Sequence, residues 1–242
     1  MPTAPWIMVQ KWHDLLFAHW TVPVEKLRPL VPRELELDLR DGRAYVAVAP
    51  FWMSGIRGRA MPPLPGLHTF PELNVRTYVT YQGIPGVYFF SLDAASRIAV
   101  KGARAFYGLP YFFAHMSIRN ISTQNDGERF QYTSRRITST GMKDPKPAEL
   151  RAQYWPLTEP RVREAKSLEA FLTERYCLYT VKQGKVFRAY IHHLPWKLQD
   201  AQAEFELNTM AQAAGLDLPN EPPLLHFSKL LEVLIWWPQR VS

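Results

Sequence analysis

The chain has 242 residues with 47% hydrophobic and 21% charged side chains, a globular balance that excludes a disordered or fibrous chain. Its formal charge is +7, yet no run of five like charges exists, so the clustered footprint of a nucleic-acid binder is missing. No apolar run approaches the roughly 20 residues of a bilayer span, and the lone Cys177 allows no intrachain disulfide, so the expectation is a cytoplasmic protein with neither membrane nor nucleic-acid partners.

The 21 prolines argue against long helices. Trp12 to Trp20 is apolar and aromatic, and reads as a strand buried on both faces. Pro23 opens a short helical turn with Val24, Leu27 and Leu30 on one side. Residues 35–39 alternate with period two, Asp41-Gly42 turns, and 44–49 returns as the second arm of a hairpin. Residues 54–71, rich in Gly and Pro, read as a long loop of the kind usually tied to function or mobility.

Strands resume at 73–81 and return at 87–92. Residues 101–113 carry Gly102, Gly108 and Pro110, which predict a strand broken by a bulge or turn. A hairpin pairs 113–122 with 129–134 around Asn125-Asp126-Gly127, and 141–149 is a second loop. Ser167 caps a helix over 168–175, and 176–182 pairs with 185–192. Residues 201–207 alternate as a half-buried strand, a short helix ends at Gly215, and 226–237 reads as strand. The sum is mainly β: a closed, mostly antiparallel β barrel or cone with two or three short helices, with no composition break to divide residues 1–242 into more than one domain.

Most chemical motifs are absent. There is no glycine-rich phosphate loop. The adjacent His192 and His193 point to opposite strand faces, while His13 and His19 share a face but stand about 20 Å apart along it, so neither metal nor cofactor is expected. Cys177 sits mid-strand as a structural thiol. The informative stretch is 72–115, where Glu72, Arg76, Asp93, Arg97, Lys101, Arg104, Tyr111 and His115 are embedded in apolar surroundings. Asn74, Arg76 and Tyr78 share one strand face, so the guanidinium is either in a buried ion pair that fixes the fold or an anion or carbonyl clamp. Lys101 forms a Schiff base only if desolvated; a solvated lysine is its ordinary state.

The strings Glu-Leu-Asn-Val-Arg-Thr-Tyr-Val (72–79) and Phe-Phe-Ser-Leu-Asp-Ala (89–94), with the segments at 12–20, 27–38 and 103–111, resemble the DUF2071 (YqjF-like) family of uncharacterised bacterial proteins. That family is similar to the acetoacetate decarboxylase-like superfamily, and the resemblance implies a closed β barrel or cone with an interior pocket. The decarboxylase forms a Schiff base on the first lysine of a Pro-Lys-Lys segment. On that alignment Pro110 keeps the proline, but Tyr111 and Phe112 replace the lysine pair, His13 stands for an arginine and Val46 falls near a glutamate position. Imine chemistry through the family lysine is therefore not expected.

What remains is a pocket with aromatic walls (Trp20, Phe51, Trp52, Tyr78, Phe90, Tyr111) and a few polar groups (Arg76, Arg104, His115, Glu72). The expected partner is a small apolar molecule carrying a carbonyl or carboxylate. Three readings stand open: a binding or sensing barrel, an enzyme on a small organic acid or ketone with Tyr111 or His115 as acid or base, and a structural protein whose polar interior specifies the fold. Self-association as a homo-oligomer through Trp6, Trp155, Trp196 or Trp236-Trp237 is also open.

Overall fold

A computed structural model describes residues 2–62, 69–123, 127–138 and 146–242. The strands in chain order are β1 (Met8–Val22), β2 (Glu36–Leu37), β3 (Ala44–Gly58), β4 (Thr69–Tyr81), β5 (Ile84–Ala94), β6 (Tyr111–Asn120), β7 (Phe130–Arg136), β8 (Glu149–Pro156), β9 (Arg161–Val162), β10 (Cys177–Lys182), β11 (Lys185–His192), β12 (Lys197–Asn208), β13 (Leu224–Ile235) and β14 (Gln239–Arg240). The helices are α1 (Val24–Leu27), α2 (Arg97–Phe106) and α3 (Leu168–Thr173).

The pairings close on themselves twice, and both closures share the wall β13–β1–β3–β4–β5. One closure continues from β5 through β6, β7, β8 and β12 back to β13; the other runs through β10 and β11. Among the described residues only β5–β6 and β5–β10 pair in parallel. A shared wall explains why β1 and β3 carry long apolar runs: both of their faces are covered, so neither face has to meet water. Leu16, Ala18, Val46, Val48, Leu73 and Val75 face one core, with Tyr132, Leu150 and Phe227. Leu15, Phe17, Ala49, Phe51 and Leu92 face the other, with Trp196 and Val233.

Four expectations are corrected. Residues 35–39 and 44–49 do not pair as a hairpin: β2 pairs with β4, and only an isolated bridge between Arg40 and Arg43 closes the Asp41-Gly42 turn. Residues 97–106 form α2, not a broken strand: the Ser96 side chain accepts from the Ala99 N–H at 3.3 Å, and Ala99, Val100, Ala103 and Tyr107 recur at helical spacing on the second core. Gly102 was weighed as a breaker, but the N-cap and that apolar stripe outweigh a single helical glycine. The 54–71 loop is shorter than expected, because β3 runs on to Gly58 and β4 begins at Thr69; residues 63–68 lie outside the described residues. His13 and His19 do not share a face. Asp14 takes φ +48 in a bulge of β1 against β3, which sends His13 to stack on Trp52 at 3.8 Å and leaves His19 beside Phe17. The predicted turn at 125–127 and the 141–149 loop fall largely on residues outside the described ones.

Candidate functional site

Alternation along β4 places Glu72, Asn74, Arg76 and Tyr78 on one face and Leu73, Val75 and Val79 on the other, within the first core. Directly opposite residues of antiparallel strands share a face. Glu72 therefore lies between Phe51 of β3 and Ala94 of β5, Asn74 between Ala49 and Leu92, and Arg76 between Ala47 and Phe89. The result is a column of four polar side chains on an apolar wall, with α2 packed at one end and α3 at the other.

At the α2 end, the Tyr111 hydroxyl donates to Glu72 Oε2 at 2.9 Å. The Tyr132 hydroxyl fixes the strands from behind, donating to the Glu72 carbonyl at 2.7 Å and the Phe51 carbonyl at 3.2 Å. Burial raises the Glu72 carboxyl from 4.5 to about 8; the Tyr111 hydrogen bond opposes the rise and nearby Asp93 adds to it. Asp93 itself is held on the opposite face by a two-pronged pair with Arg136, both contacts at 2.7 Å. Glu72 has no such cation, so at neutral pH it carries its proton. Burial, then the charge of Glu72, keeps the Tyr111 phenol far from ionising. Tyr107, following α2, buries its hydroxyl without a partner near Tyr111.

At the α3 end, His19 Nε2 and the Tyr78 hydroxyl lie 2.7 Å apart. The Arg76 guanidinium carbon sits 5.2 Å from the Phe17 ring centre and 5.8 Å from that of Tyr78. Arg175 lies over Phe171 and Tyr78 and pairs with Asp38. Burial, reinforced by Arg76, pushes the His19 imidazole well below its ordinary range, so the ring is neutral.

Of the residues singled out from sequence, Glu72, Arg76, Tyr78, Tyr111 and Phe51 come together on this wall. Trp20 and Phe90 belong to the opposite core, and Trp52 stacks on His13 with its indole N–H donating to Asp14 at 2.8 Å. Arg104 is on α2, half-buried, and its Nε donates to the Tyr111 carbonyl at 2.6 Å, so it braces the strand. His115 is exposed beside Phe113 and lines no part of the wall, because alternation along β6 turns Met116 and Ile118 toward the first core and His115 away from it. Lys101 is exposed, as is every described lysine. Among the described residues no group of three metal-ligating side chains occurs.

Sequence reading missed His19, Tyr107 and Arg175. The Phe17, His19 alternation held a signal for the first. Tyr107 and Arg175 arrive through helix packing that no local pattern encodes.

A family model for DUF2071, an uncharacterized conserved protein, matches residues 9–232. The chain is 48% identical over 236 residues to the uncharacterized protein YqjF of Bacillus subtilis (strain 168), covering 98% of this chain and 93% of that one. Among solved structures, the enduracididine biosynthesis enzyme MppR complexed with pyruvate superposes with a TM-score of 0.63 at 13% identity, covering 100% of this chain and 92% of the other. Acetoacetate decarboxylase from Legionella pneumophila gives 0.61 at 14%, covering 100% and 90%. At these identities the likeness establishes an acetoacetate decarboxylase-like fold. No helix among the described residues is long and apolar enough to cross a membrane.

Proposed function

This chain belongs to the DUF2071 family, and we propose that it binds a small carbonyl compound on the Glu72 wall without forming an imine. The observation that carries the reading is the Glu72 carboxyl, buried on an apolar wall with the Tyr111 hydroxyl on Oε2 and no cation beside it among the described residues; that burial raises its pKa to about 8 and favours the protonated form. A neutral carboxyl is a donor, and its O–H, together with the unpartnered Tyr107 hydroxyl, suits a ligand carbonyl oxygen. Carbonyl-bearing ligands also agree with the pyruvate bound by the structurally similar MppR. Tyr111 and Phe112 stand where the decarboxylase has its lysine pair, and no described lysine is buried to take over.

The test is a thermal-shift panel of oxo acids, ketones, lactones and nitroaromatics. A ligand at 100 times its Kd stabilises the fold by about 2.7 kcal/mol. Hits lost in Glu72→Met and Tyr107→Phe, which delete the two donors, support the reading; no hit across the panel, or hits unaffected by both substitutions, overturns it. Borohydride with a bound oxo acid gives no covalent adduct, and trapping on any lysine refutes the imine-free site.

Enzymatic use of the same site is favoured by one feature. A carboxyl titrating near 8 is matched to proton transfer at neutral pH. Exchange of a bound ketone's α-hydrogens for deuterium, followed by NMR and lost in Glu72→Gln, separates catalysis from binding.

A further inference from the structure

The α3 end of the wall is short of negative charge. Arg136 has Asp93 and Arg175 has Asp38, but among the described residues no carboxylate lies within 4.0 Å of Arg76. Arg76 is only 7% exposed. Among the described residues Nη2 donates to the Leu172 carbonyl at a long 3.4 Å, the Tyr78 hydroxyl is a second, neutral acceptor beside it, and Nε has no partner. A buried guanidinium without a counter-ion is costly and needs a reason.

The neighbouring histidine has the same deficit. His19 Nε2 and the Tyr78 hydroxyl share one hydrogen bond at 2.7 Å, and in the tautomer in which the hydroxyl donates, the imidazole proton sits on Nδ1. Nδ1 then has the Leu172 carbonyl beside it, the same oxygen that Arg76 uses, at a geometry too poor for a good hydrogen bond. His19 is 1% exposed. Two buried groups on adjacent strands thus share one backbone acceptor, and one of them carries a full positive charge. What satisfies both is an anion with at least two acceptor oxygens.

We propose that Arg76 and His19 bind the carboxylate of the same molecule whose carbonyl meets Glu72, making the ligand an oxo acid with the two groups well separated. This rests on the carbonyl reading of the Glu72 end. The spacing sets the ligand class. Glu72 and Arg76 are four residues apart on one strand face, roughly 13 Å between Cα atoms at about 3.3 Å per residue. An α-oxo acid such as pyruvate, with its carbonyl and carboxylate on adjacent carbons, touches one end only. An oxo acid with several methylenes between the groups reaches both, and its chain lies along Ala47, Ala49 and Leu92, with the unpartnered Asn74 Oδ1 between the ends.

Calorimetric titration of the full chain with 6-oxoheptanoate, its methyl ester, heptanoate and pyruvate tests this, in wild type, Arg76→Gln and Glu72→Met. In wild type 6-oxoheptanoate binds at least tenfold tighter than any of the others. Arg76→Gln removes that advantage over the ester and leaves ester affinity unchanged. Glu72→Met, which deletes the donor, weakens the oxo acid and the ester together and leaves heptanoate unchanged. If ester and acid bind alike and Arg76→Gln changes neither, the anion site is refuted while the carbonyl site stands. If heptanoate binds as tightly as the oxo acid and Glu72→Met has no effect, the carbonyl reading fails and the anion site stands. Absence of binding by all four compounds refutes both. Because Arg76→Gln removes an uncompensated buried charge, its melting temperature without ligand is at or above that of wild type; a large drop identifies Arg76 as structural and overturns the proposal.

Discussion

Glu72→Gln is expected to stabilise the protein, and by an amount that depends on pH. The substitution keeps the shape of the side chain and an acceptor for Tyr111 while removing the ionisable group. In the folded chain the carboxyl titrates at about 8 against an ordinary value of 4.5. A raised folded pKa means stability that is fully present below 4.5 and lost as pH climbs toward 8, because the unfolded chain ionises first. At 1.36 kcal/mol per pH unit, wild type gives up about 3 kcal/mol by pH 7 and about 5 above pH 8. Glu72→Gln does not titrate. Urea denaturation of both proteins from pH 4 to 9 therefore shows matching stabilities near pH 4, a gap that widens by about 1.4 kcal/mol per pH unit, and a plateau above 8. A gap that stays flat with pH, or wild type more stable throughout, shows Glu72 to be ionised and paired in the folded chain, and removes the donor on which the carbonyl site depends.

Tyr111→Phe deletes the hydrogen bond that opposes the rise in the Glu72 pKa, so the plateau of the same pH series moves above 8. Arg136→Met and Arg76→Met separate a structural guanidinium from a functional one. The first strands Asp93, which is 0% exposed, and costs about 3–5 kcal/mol at pH 7 by urea denaturation, whereas the second leaves the ligand-free protein undiminished. Gly86→Ala puts a Cβ 2.7 Å from the Cys177 carbonyl oxygen and 2.9 Å from its sulfur, where the parallel β5–β10 pair approaches closely; a loss of about 1–3 kcal/mol is expected in thermal melts.

The sequence by itself determined the fold class and the polar wall. Period-two alternation in β4 and apolar runs in β1 and β3 depend only on which faces are covered, so the antiparallel elements and the shared face of Arg76 and Tyr78 were legible in the chain. Distant packing decided the rest. Trp20, Trp52 and His115 are aromatic residues near the right segments, but their faces were set by strand parity, relative to a bulge at Asp14 in β1 and along β6 for His115. His19 became a partner of Tyr78 from 59 residues away, and the absence of a counter-ion at Arg76 is a property of everything that surrounds it. A sequence states which side chains carry charge; only the folded chain states which of those charges are left unanswered.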